Sequence, residues 1–299
     1  MRHITDQQIR SLEISPATCV EWVKESFSIK KHAQLPAKIS VHPQGNDFIT
    51  TMPCLLPAEY GIFGVKIVSR IKGQKPALKS EMMLFDASNG KLLTLMDADW
   101  ITTMRTGAVA ALAIHTLGVE NCTEFSFIGL GNTAYATIRC LLDTIDNRTI
   151  HFRLKRYKDQ AERCCDYFSG YPNATFEIVD SMEELVRDSQ VIVSCITDAD
   201  GLLVEDSSLF APGCLVVPVH TRGFQNCDTC FDKVFADDTN HVKGFKYFSQ
   251  FKSFGELSDV LSGKIAGREN NQERILSYNI GLGLHDVLFG SKIHDLLSP

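Results

Sequence analysis

The first third of the chain changes from a helical to a strand-like spacing of its hydrophobic residues. Between residues 5 and 31, apolar side chains recur three or four positions apart, which predicts a helix that Pro16 breaks into two pieces. From residue 39 to 95 the apolar residues form short runs separated by turn residues, a pattern typical of β-strands. The pair Asn89-Gly90 favours a hairpin between two of these runs. An antiparallel or mixed sheet is therefore predicted, with strands at 48–52, 62–68, 82–85 and 91–95.

The middle of the chain alternates between strand-like and helical segments. A helix rich in small residues is predicted over 99–117, and apolar runs then alternate with amphipathic segments. Alternation of this kind predicts a parallel sheet with helices on both faces. The predicted strands are 125–130, 149–154, 176–179, 191–195, 215–219 and 233–236, with helices at 134–145 and 159–168. From residue 255 onwards the pattern is again helical, apart from a glycine-rich interruption at 279–283.

A glycine motif lies where the first of these alternating strands meets its helix. Gly129, Gly131 and Ala134 form a G-x-G-x-x-A sequence. The first glycine permits a tight turn, the second lets the backbone approach a pyrophosphate, and the alanine keeps the helix close to the strand. A tight turn without a ligand is the competing interpretation. The position of the motif at the head of a β-α series favours a domain that binds a nicotinamide dinucleotide.

Length and element order together predict an α/β protein of two domains. We expect a Rossmann-type NAD(P)-binding domain over residues 118–277. A second, α+β domain is expected to comprise residues 1–117 together with 278–299. The C-terminal segment is assigned to this second domain because a helix that follows a Rossmann unit often returns to the domain before it.

The composition narrows the classes of partner. A formal net charge of -6 argues against nucleic acid or an anionic membrane as the main partner. No apolar stretch is long enough for a transmembrane helix and the N-terminus lacks the apolar core of a signal peptide, so we expect a cytoplasmic protein. Most of the ten cysteines occur singly in apolar runs, as core residues do. Cys227 and Cys230 form a lone C-x-x-C, which is too little to predict zinc, and we expect no metal.

The residues after the second strand of the series bear on the choice of cofactor. An acidic residue there suits the ribose hydroxyls of NAD(H), whereas arginine or lysine suits the 2′-phosphate of NADP(H). This chain has Lys155 and Arg156, and its first acid is Asp159. NADP(H) is therefore favoured over NAD(H), although a solvated basic turn would have the same sequence.

Two cations interrupt apolar segments of the predicted first domain. Lys66 lies between Val65 and Ile67, where an ammonium group is costly unless it is paired or meets a bound anion. By strand alternation alone, a solvent-facing position is the commoner interpretation. Arg105 lies in the small-residue helix, where a guanidinium group suits bidentate binding of a carboxylate. A surface arginine on an amphipathic helix is the competing interpretation.

These features together resemble the ornithine cyclodeaminase and mu-crystallin family. The resemblance begins with the mid-strand Lys66, the run Arg105-Thr106-Gly107-Ala108 and the glycine motif, in that order. Three later segments also match. Asp237-Asp238 corresponds to an acidic pair at the end of a strand. Residues 263–268 correspond to the family's G-K-x-x-G-R segment, and residues 281–286 to its G-x-A-x-E-D ending. The match covers nearly the whole chain. The family includes alanine dehydrogenases, ketimine reductases and amino-acid lyases.

The resemblance implies a homodimer that pairs through the sheets of its N-terminal, substrate-binding domains. It also implies that Lys66 and Arg105 are catalytic, and that with Lys38 they bind the α-carboxylate of a small amino or imino acid and assist proton transfer. Met52 would line the substrate pocket. Besides the glycine motif, the residues that the resemblance assigns to the cofactor are Thr106, Asn132, Thr133 and Asn279.

Departures from the family pattern bear on the substrate. Members that use ornithine have a glutamate where this chain has Thr50, and an aspartate at or near the place of Arg222. Repulsion between Arg222 and a diamine tail would cost on the order of 1 kcal/mol in a partly buried site. We therefore expect a pocket shaped by Thr50, Met52, His220 and Arg222 that accepts a neutral or acidic side chain.

The predicted function is that of an NAD(P)-dependent oxidoreductase acting on a C–N bond α to a carboxylate, by imine reduction or amino-acid dehydrogenation. One alternative is an NAD-dependent lyase of the ornithine cyclodeaminase or 2,3-diaminopropionate-synthesis type. Another is a non-catalytic NADP(H)-binding protein like mu-crystallin. The presence of both Lys66 and Arg105 disfavours the last, because a protein that only binds a nucleotide needs no acid–base pair.

Overall fold

The computed structural model of the chain describes residues 1–76, 78–196, 199, 201–220, 224 and 227–298. They form two compact units, one of Met1–Arg105 with Leu282–Pro299 and one of Thr106–Gly281. In chain order the helices and strands are β1 (Arg2–Ile4), α1 (Asp6–Arg10), α2 (Pro16–Ile29), β2 (Ile39–Val41), β3 (Phe48–Leu55), β4 (Ile62–Arg70), β5 (Lys79–Asp86), β6 (Leu92–Asp97), α3 (Asp99–Leu117), β7 (Glu124–Ile128), α4 (Asn132–Thr144), β8 (Ile150–Lys155), α5 (Gln160–Phe168), β9 (Ala174–Val179), α6 (Met182–Val186), β10 (Val191–Ser194), β11 (Leu215–Pro218), β12 (Lys233–Ala236), α7 (Thr239–Val242), β13 (Phe254–Glu256), α8 (Leu257–Leu261), β14 (Ile275–Tyr278) and α9 (Gly283–Leu297).

The first unit is built on a mixed six-stranded sheet, as predicted. Its strands lie in the order β1-β6-β5-β4-β3-β2, and the pairs are antiparallel except that β1 runs parallel to β6. The β5–β6 hairpin turns at Gly90, whose φ of 72° is the left-handed conformation that glycine adopts without strain. Helix α9 packs closely on one face, because a Cβ added to Gly64 would lie 2.7 Å from Val287.

The second unit is built on an eight-stranded sheet in which all neighbouring strands are parallel. The strand order is β13-β12-β14-β11-β10-β7-β8-β9. From β7 the chain first extends the sheet through β8 and β9, and then returns to add β10 on the other side of β7. The order therefore reverses between β7 and β10, and ligands of such sheets bind where the carboxyl ends of the strands flank that point.

The helical prediction for residues 255–278 is wrong. Only α8 is helical there, while β13 precedes it and β14 runs between β11 and β12 inside the parallel sheet. All four residues of β14 are buried. A short strand that is covered on both faces has no alternation of polar and apolar residues, so its periodicity does not distinguish it from a helix.

The units divide at positions that differ from the predicted 117/118 and 277/278. Helix α3 is continuous, yet the division falls within it, after Arg105, and the chain re-enters the first unit at Leu282. The second half of α3 packs with the second unit, because a Cβ on Gly107 would lie 2.6 Å from the backbone of Ala136 in α4. Within the described part of the chain, no helix combines the length and the apolarity needed to cross a bilayer.

Candidate active site

The side chain of Lys66 points into the first unit. Residues 62, 64, 66 and 68 of β4 are buried and the residues between them are half-buried, so Lys66 lies on the covered face of the sheet. Its neighbours across the strands are Met52 in β3 and Met82 in β5, and it has no exposed surface. The interpretation of Lys66 as a solvent-facing strand residue is therefore wrong. A buried ammonium group requires a counter-charge.

The counter-charge is Asp286 in the first turns of α9. Its Oδ1 lies 2.8 Å from Nζ of Lys66 and 2.9 Å from Nε of Arg105, which comes from α3. All three side chains belong to the first unit and Arg105 retains only 5% exposure. One carboxylate oxygen thus joins two cations from different elements, and we call these three residues the cation–carboxylate cluster.

Sequence reasoning placed residue 286 within the family's C-terminal motif but gave it no role. One signal was available, because Asp286 is the only acid in the otherwise mainly apolar stretch 283–291. A buried carboxylate in such a segment needs a cationic partner, and Lys66 and Arg105 are the two cations that interrupt apolar segments. What the sequence lacks is the distance between them.

The pKa values of both Lys66 and Asp286 lie below their ordinary values, for different reasons. Burial and, next, the charge of Arg105 lower the pKa of Lys66 from 10.5 to about 7, although Asp286 opposes the shift. Burial alone would raise the pKa of Asp286, but Arg105 and Lys66 hold it below its usual value. Lys66 can therefore exchange a proton near neutral pH while Asp286 stays ionised.

The other predicted substrate residues of the first unit differ in their burial and in their neighbours. Met52 is buried on β3 opposite Lys66. Lys38, just before β2, is half-buried, and its charge adds to the lowering of the pKa of Lys66. Thr50 is buried, and its hydroxyl lies 2.7 Å from that of Ser40 in β2. The sequence prediction that this position carries no carboxylate for a diamine therefore concerns a buried hydroxyl group.

The glycine motif of the second unit has the shape that a dinucleotide loop requires. Gly129 follows β7 with a φ of 81°, and a Cβ there would lie 2.6 Å from the backbone of Cys195, which follows β10. A Cβ on Gly131, at the N-cap of α4, would meet open space, while Ala134 is fully buried in the first turn of α4. The loop therefore lies at the reversal point of the sheet with room in front of the helix N-terminus. These residues fit a pyrophosphate.

Further predicted cofactor residues lie in the same unit. Asn132 is exposed in the first turn of α4, and Thr133 and Thr106 are half-buried. Asn279 follows β14 and is 1% exposed; its Nδ2 donates to the Ser277 carbonyl at 3.1 Å. Among the described residues its Oδ1 has no hydrogen-bond partner. A buried amide oxygen in this state suits a ligand that carries an N–H donor, such as a carboxamide.

The basic pair after β8 is less available than the sequence suggests. The guanidinium group of Arg156 is paired with Asp180, at 2.6 Å, and with Glu162. The ammonium group of Lys155 donates to the backbone carbonyl of Arg156 at 3.0 Å. An incoming phosphate would have to compete with two carboxylates for Arg156.

The remaining candidates are His220, which lies near two strand ends, Arg222, and the cysteines Cys227 and Cys230. Nε2 of His220 lies 2.6 Å from Oγ of Ser194, so the last residue of β10 is joined to a residue that follows β11 at the carboxyl edge. Arg222 lies outside the described residues. Cys227 is a buried thiol and Cys230 a half-buried one, and burial raises the pKa of Cys227 to about 12. No group of three or more metal-ligating side chains is present in the part of the chain that is described.

Comparison with known proteins gives a family and several relatives. The sequence model of the ornithine cyclodeaminase/mu-crystallin family matches residues 4–298. The nodulation efficiency protein NfeD of Rhizobium meliloti is 27% identical over 87% of this chain and 83% of that protein. A Delta(1)-pyrroline-2-carboxylate reductase from Colwellia psychrerythraea is 27% identical over 76% of each chain.

A solved structure gives the same fold. The Delta(1)-pyrroline-2-carboxylate reductase of Thermococcus litoralis, in complex with NADH and L-proline, aligns with a TM-score of 0.87 over 99% of this chain and 97% of that one. Its sequence identity is 20%, so this likeness concerns the fold alone. The predicted family and α/β fold class are confirmed, and the reductases among the relatives belong to the predicted class of enzyme.

The buried lysine generates a prediction about stability. Between pH 7 and 10, Lys66 is largely neutral in the folded protein but protonated in the unfolded chain, because its pKa falls from 10.5 to about 7 on folding. The unfolded state then binds more protons, so the free energy of unfolding gains up to about 1.4 kcal/mol per pH unit from this group as pH rises. Urea unfolding of wild type and Lys66→Met across this range should show a difference that moves in favour of the wild type with pH.

The matched control is Lys79→Met, at an exposed position of β5. Its difference from the wild type should stay constant over the same range. A pH-independent difference for Lys66→Met would mean that Lys66 remains protonated in the folded protein.

Proposed function

The chain belongs to the ornithine cyclodeaminase/mu-crystallin family, and on that premise we propose that it is an NAD(P)H-dependent reductase of imines next to a carboxylate, with amino-acid dehydrogenation as the reverse reaction. The observation that carries the proposal is the cation–carboxylate cluster of Lys66, Asp286 and Arg105. A buried lysine whose pKa is lowered to about 7, held by a carboxylate beside an arginine, is typical of a site that transfers protons.

Each member of the cluster has a chemical task in this reaction. Asp286 accepts a hydrogen bond from Nε of Arg105. Both Nη groups take no part in that bond, and the planar guanidinium fixes their directions. They suit bidentate binding of the substrate's α-carboxylate. Lys66 donates a proton to the imine nitrogen, and Asp286 keeps its Nζ in place. Bound NAD(P)H supplies the hydride for the α-carbon, so the imine and one proton become the amino acid.

The residues of the second unit support binding of that cofactor. Gly129, Gly131 and Ala134 would hold the pyrophosphate at the N-terminus of α4, and Asn132, Thr133 and Thr106 would add polar groups. Asn279 would accept a hydrogen bond from the nicotinamide carboxamide through its Oδ1, which has no partner among the described residues.

The side chain at position 50 argues against a diamine substrate. Thr50 is buried, and its hydroxyl lies within hydrogen-bond distance of that of Ser40. A threonine at this position offers no carboxylate to a terminal ammonium group. The cyclodeaminase activity known from the family's name therefore ranks second. A cyclic imine or an imine with a neutral or acidic side chain fits better.

The proposal predicts consumption of reduced cofactor. Purified protein should oxidise NADPH or NADH, followed at 340 nm, when given Δ1-pyrroline-2-carboxylate or a 2-oxo acid with ammonia. Lys66→Met should lower kcat by about 100-fold or more, since general acid catalysis contributes roughly 10²–10⁴-fold. Lys79→Met should retain wild-type rates.

Two results would redirect the assignment. Conversion of ornithine with NAD⁺ and no net change in reduced cofactor would identify the lyase. Binding of NAD(P)H without turnover of any imine, 2-oxo acid or diamine would identify a nucleotide-binding protein.

The cofactor is proposed to be NADP(H) rather than NAD(H). Strand β8 ends in Lys155 and is followed by Arg156, so the chain itself is basic rather than acidic at the end of this strand. Because Asp180 and Glu162 compete for Arg156, the preference is expected to be modest.

Paired substitutions test this preference. Arg156→Ala should raise the KM for NADPH about tenfold and leave that for NADH nearly unchanged, because one charge-assisted phosphate contact is lost. Asp180→Asn releases Arg156 from one competitor and should lower the KM for NADPH. If the wild type prefers NADH and neither substitution alters the ratio, the enzyme uses NAD(H).

A homodimer is proposed from the uncovered face of the first unit's sheet. Helix α9 covers one face, whereas the opposite face carries the apolar side chains of Phe63, Val65 and Ile67 on β4 and Met83 and Phe85 on β5. These side chains are only half-buried in the single chain. A row of apolar side chains that a single chain leaves partly exposed is typical of a subunit contact.

Light scattering on the purified protein should give twice the chain mass of 33.3 kDa. Val65→Glu places a charge at the centre of that face and should yield monomers, whereas Gln250→Glu, at an exposed position of the second unit, should not. A monomeric wild type would refute the proposal.

A further inference from the structure

The cation–carboxylate cluster has an imbalance of charge that depends on Lys66. With Lys66 protonated, the cluster holds two positive charges and one negative charge, and with Lys66 neutral it holds one of each. Lys66 and Asp286 have no exposed surface and Arg105 has 5%. Uncompensated charge is costly at such depth, so the neutral combination is favoured while no other ion is bound.

The groups around the cluster indicate that Lys66 is the member whose protonation state changes. Burial first, and then Asp286, raise the pKa of the Cys54 thiol on β3 to about 12, so this thiol stays neutral. His285 on α9 lies beside Asp286, and its Nδ1 is 2.5 Å from Oγ of Ser26 in α2. Lys38 is half-buried and adds positive charge near Lys66. Met52 and Met82, which flank Lys66 on β3 and β5, carry no charge.

We propose that binding of the substrate's carboxylate is coupled to uptake of one proton by Lys66, and that Asp286 sets this coupling. The inference rests on the proposed function, because it concerns how the reductase acquires its acid. A carboxylate bound to Arg105 would give the neutral cluster a net charge of minus one. Protonation of Lys66 cancels that charge. The substrate therefore loads the proton that its own imine nitrogen later receives.

Removal of Asp286 should break the coupling without removing the carboxylate site. In Asp286→Asn the cluster without ligand holds Arg105 as its only charge if Lys66 is neutral. A bound carboxylate then balances Arg105 directly, and Lys66 has no reason to take up a proton. In Lys66→Met the cluster is already balanced by Asp286, so a carboxylate binds against an unpaired negative charge and should bind more weakly.

Calorimetry in buffers of different ionisation enthalpy tests the proposal. The probe is pyrrole-2-carboxylate, a planar monoanion that cannot be reduced as an imine, titrated at pH 8 into protein saturated with oxidised cofactor. The wild type should take up close to one proton per site, and its affinity should fall by up to about tenfold per pH unit above pH 7. Asp286→Asn should bind the probe with no proton uptake and an affinity that is flat with pH. Lys66→Met should bind it more weakly and also without uptake.

Two further variants locate the proton. Asp47→Asn, which changes a buried carboxylate elsewhere in the first unit, should behave as the wild type. His285→Gln should also retain the uptake. If His285→Gln abolishes it, the proton belongs to His285 and the proposal is overturned.

The wild-type measurement stands without any variant. Absence of uptake, absence of probe binding, or equal uptake in Asp286→Asn would each overturn the inference. The assay does not depend on turnover, so proton uptake in a protein that reduces no imine would refute the proposed reductase and leave the coupling intact. Imine reduction without proton uptake would support the proposed reductase and refute the coupling.

Discussion

The carboxylate of Asp286 is the interaction on which the chemistry of the first unit depends. Lys66 and Arg105 are both buried. Without a negative charge between them, the two cations would repel each other, and burying each one would cost more free energy. Asp286 reaches them because α9 returns from the C-terminus and packs on the sheet. Two glycines allow that approach, since a Cβ on Gly64 would lie 2.7 Å from Val287, and one on Gly283 would lie 3.0 Å from the Met52 carbonyl. The close packing of α9 on the sheet is therefore what brings the negative charge of Asp286 to the two cations.

The second unit meets a different requirement, which is to expose backbone donors at one edge of a buried sheet. Strands β7, β10 and β11 consist almost wholly of buried residues, and the polar groups follow their carboxyl ends. The positive φ of Gly129 and its contact with the backbone of Cys195 fix the loop at the point where strand order reverses. Asn279 enters the same edge only because β14 is inserted beside β11.

Substrate class follows from charge in this fold. The cluster presents a net cationic or neutral site according to the state of Lys66, which suits one carboxylate, and Thr50 offers no second charge. Under the proposed function, this arrangement matches an imine with a neutral or acidic side chain better than it matches a diamine.

Features with a local cause could be predicted from the sequence. The break at Pro16, the limits of the helix Asp99–Leu117, the Asn89-Gly90 hairpin and the strand–glycine–helix motif all depend on residues within a few positions of one another. The family resemblance rested on the same local motifs, and it named Lys66 and Arg105 as a pair. Strand β14 was mistaken for helix because burial on both faces removes the periodicity that distinguishes the two.

The sequence by itself determined the α/β class, the dinucleotide motif and the two cations, because short-range patterns of polarity and backbone freedom encode them. Only the tertiary structure decided that Lys66 faces inward, that Asp286 joins it to Arg105, and that Arg156 is occupied by Asp180 and Glu162. Lys66 and Asp286 are 220 positions apart, and Asp180 lies 24 positions from Arg156. Such partners are chosen by the packing of whole elements, and no local pattern carries the distance that sets the strength of an electrostatic interaction.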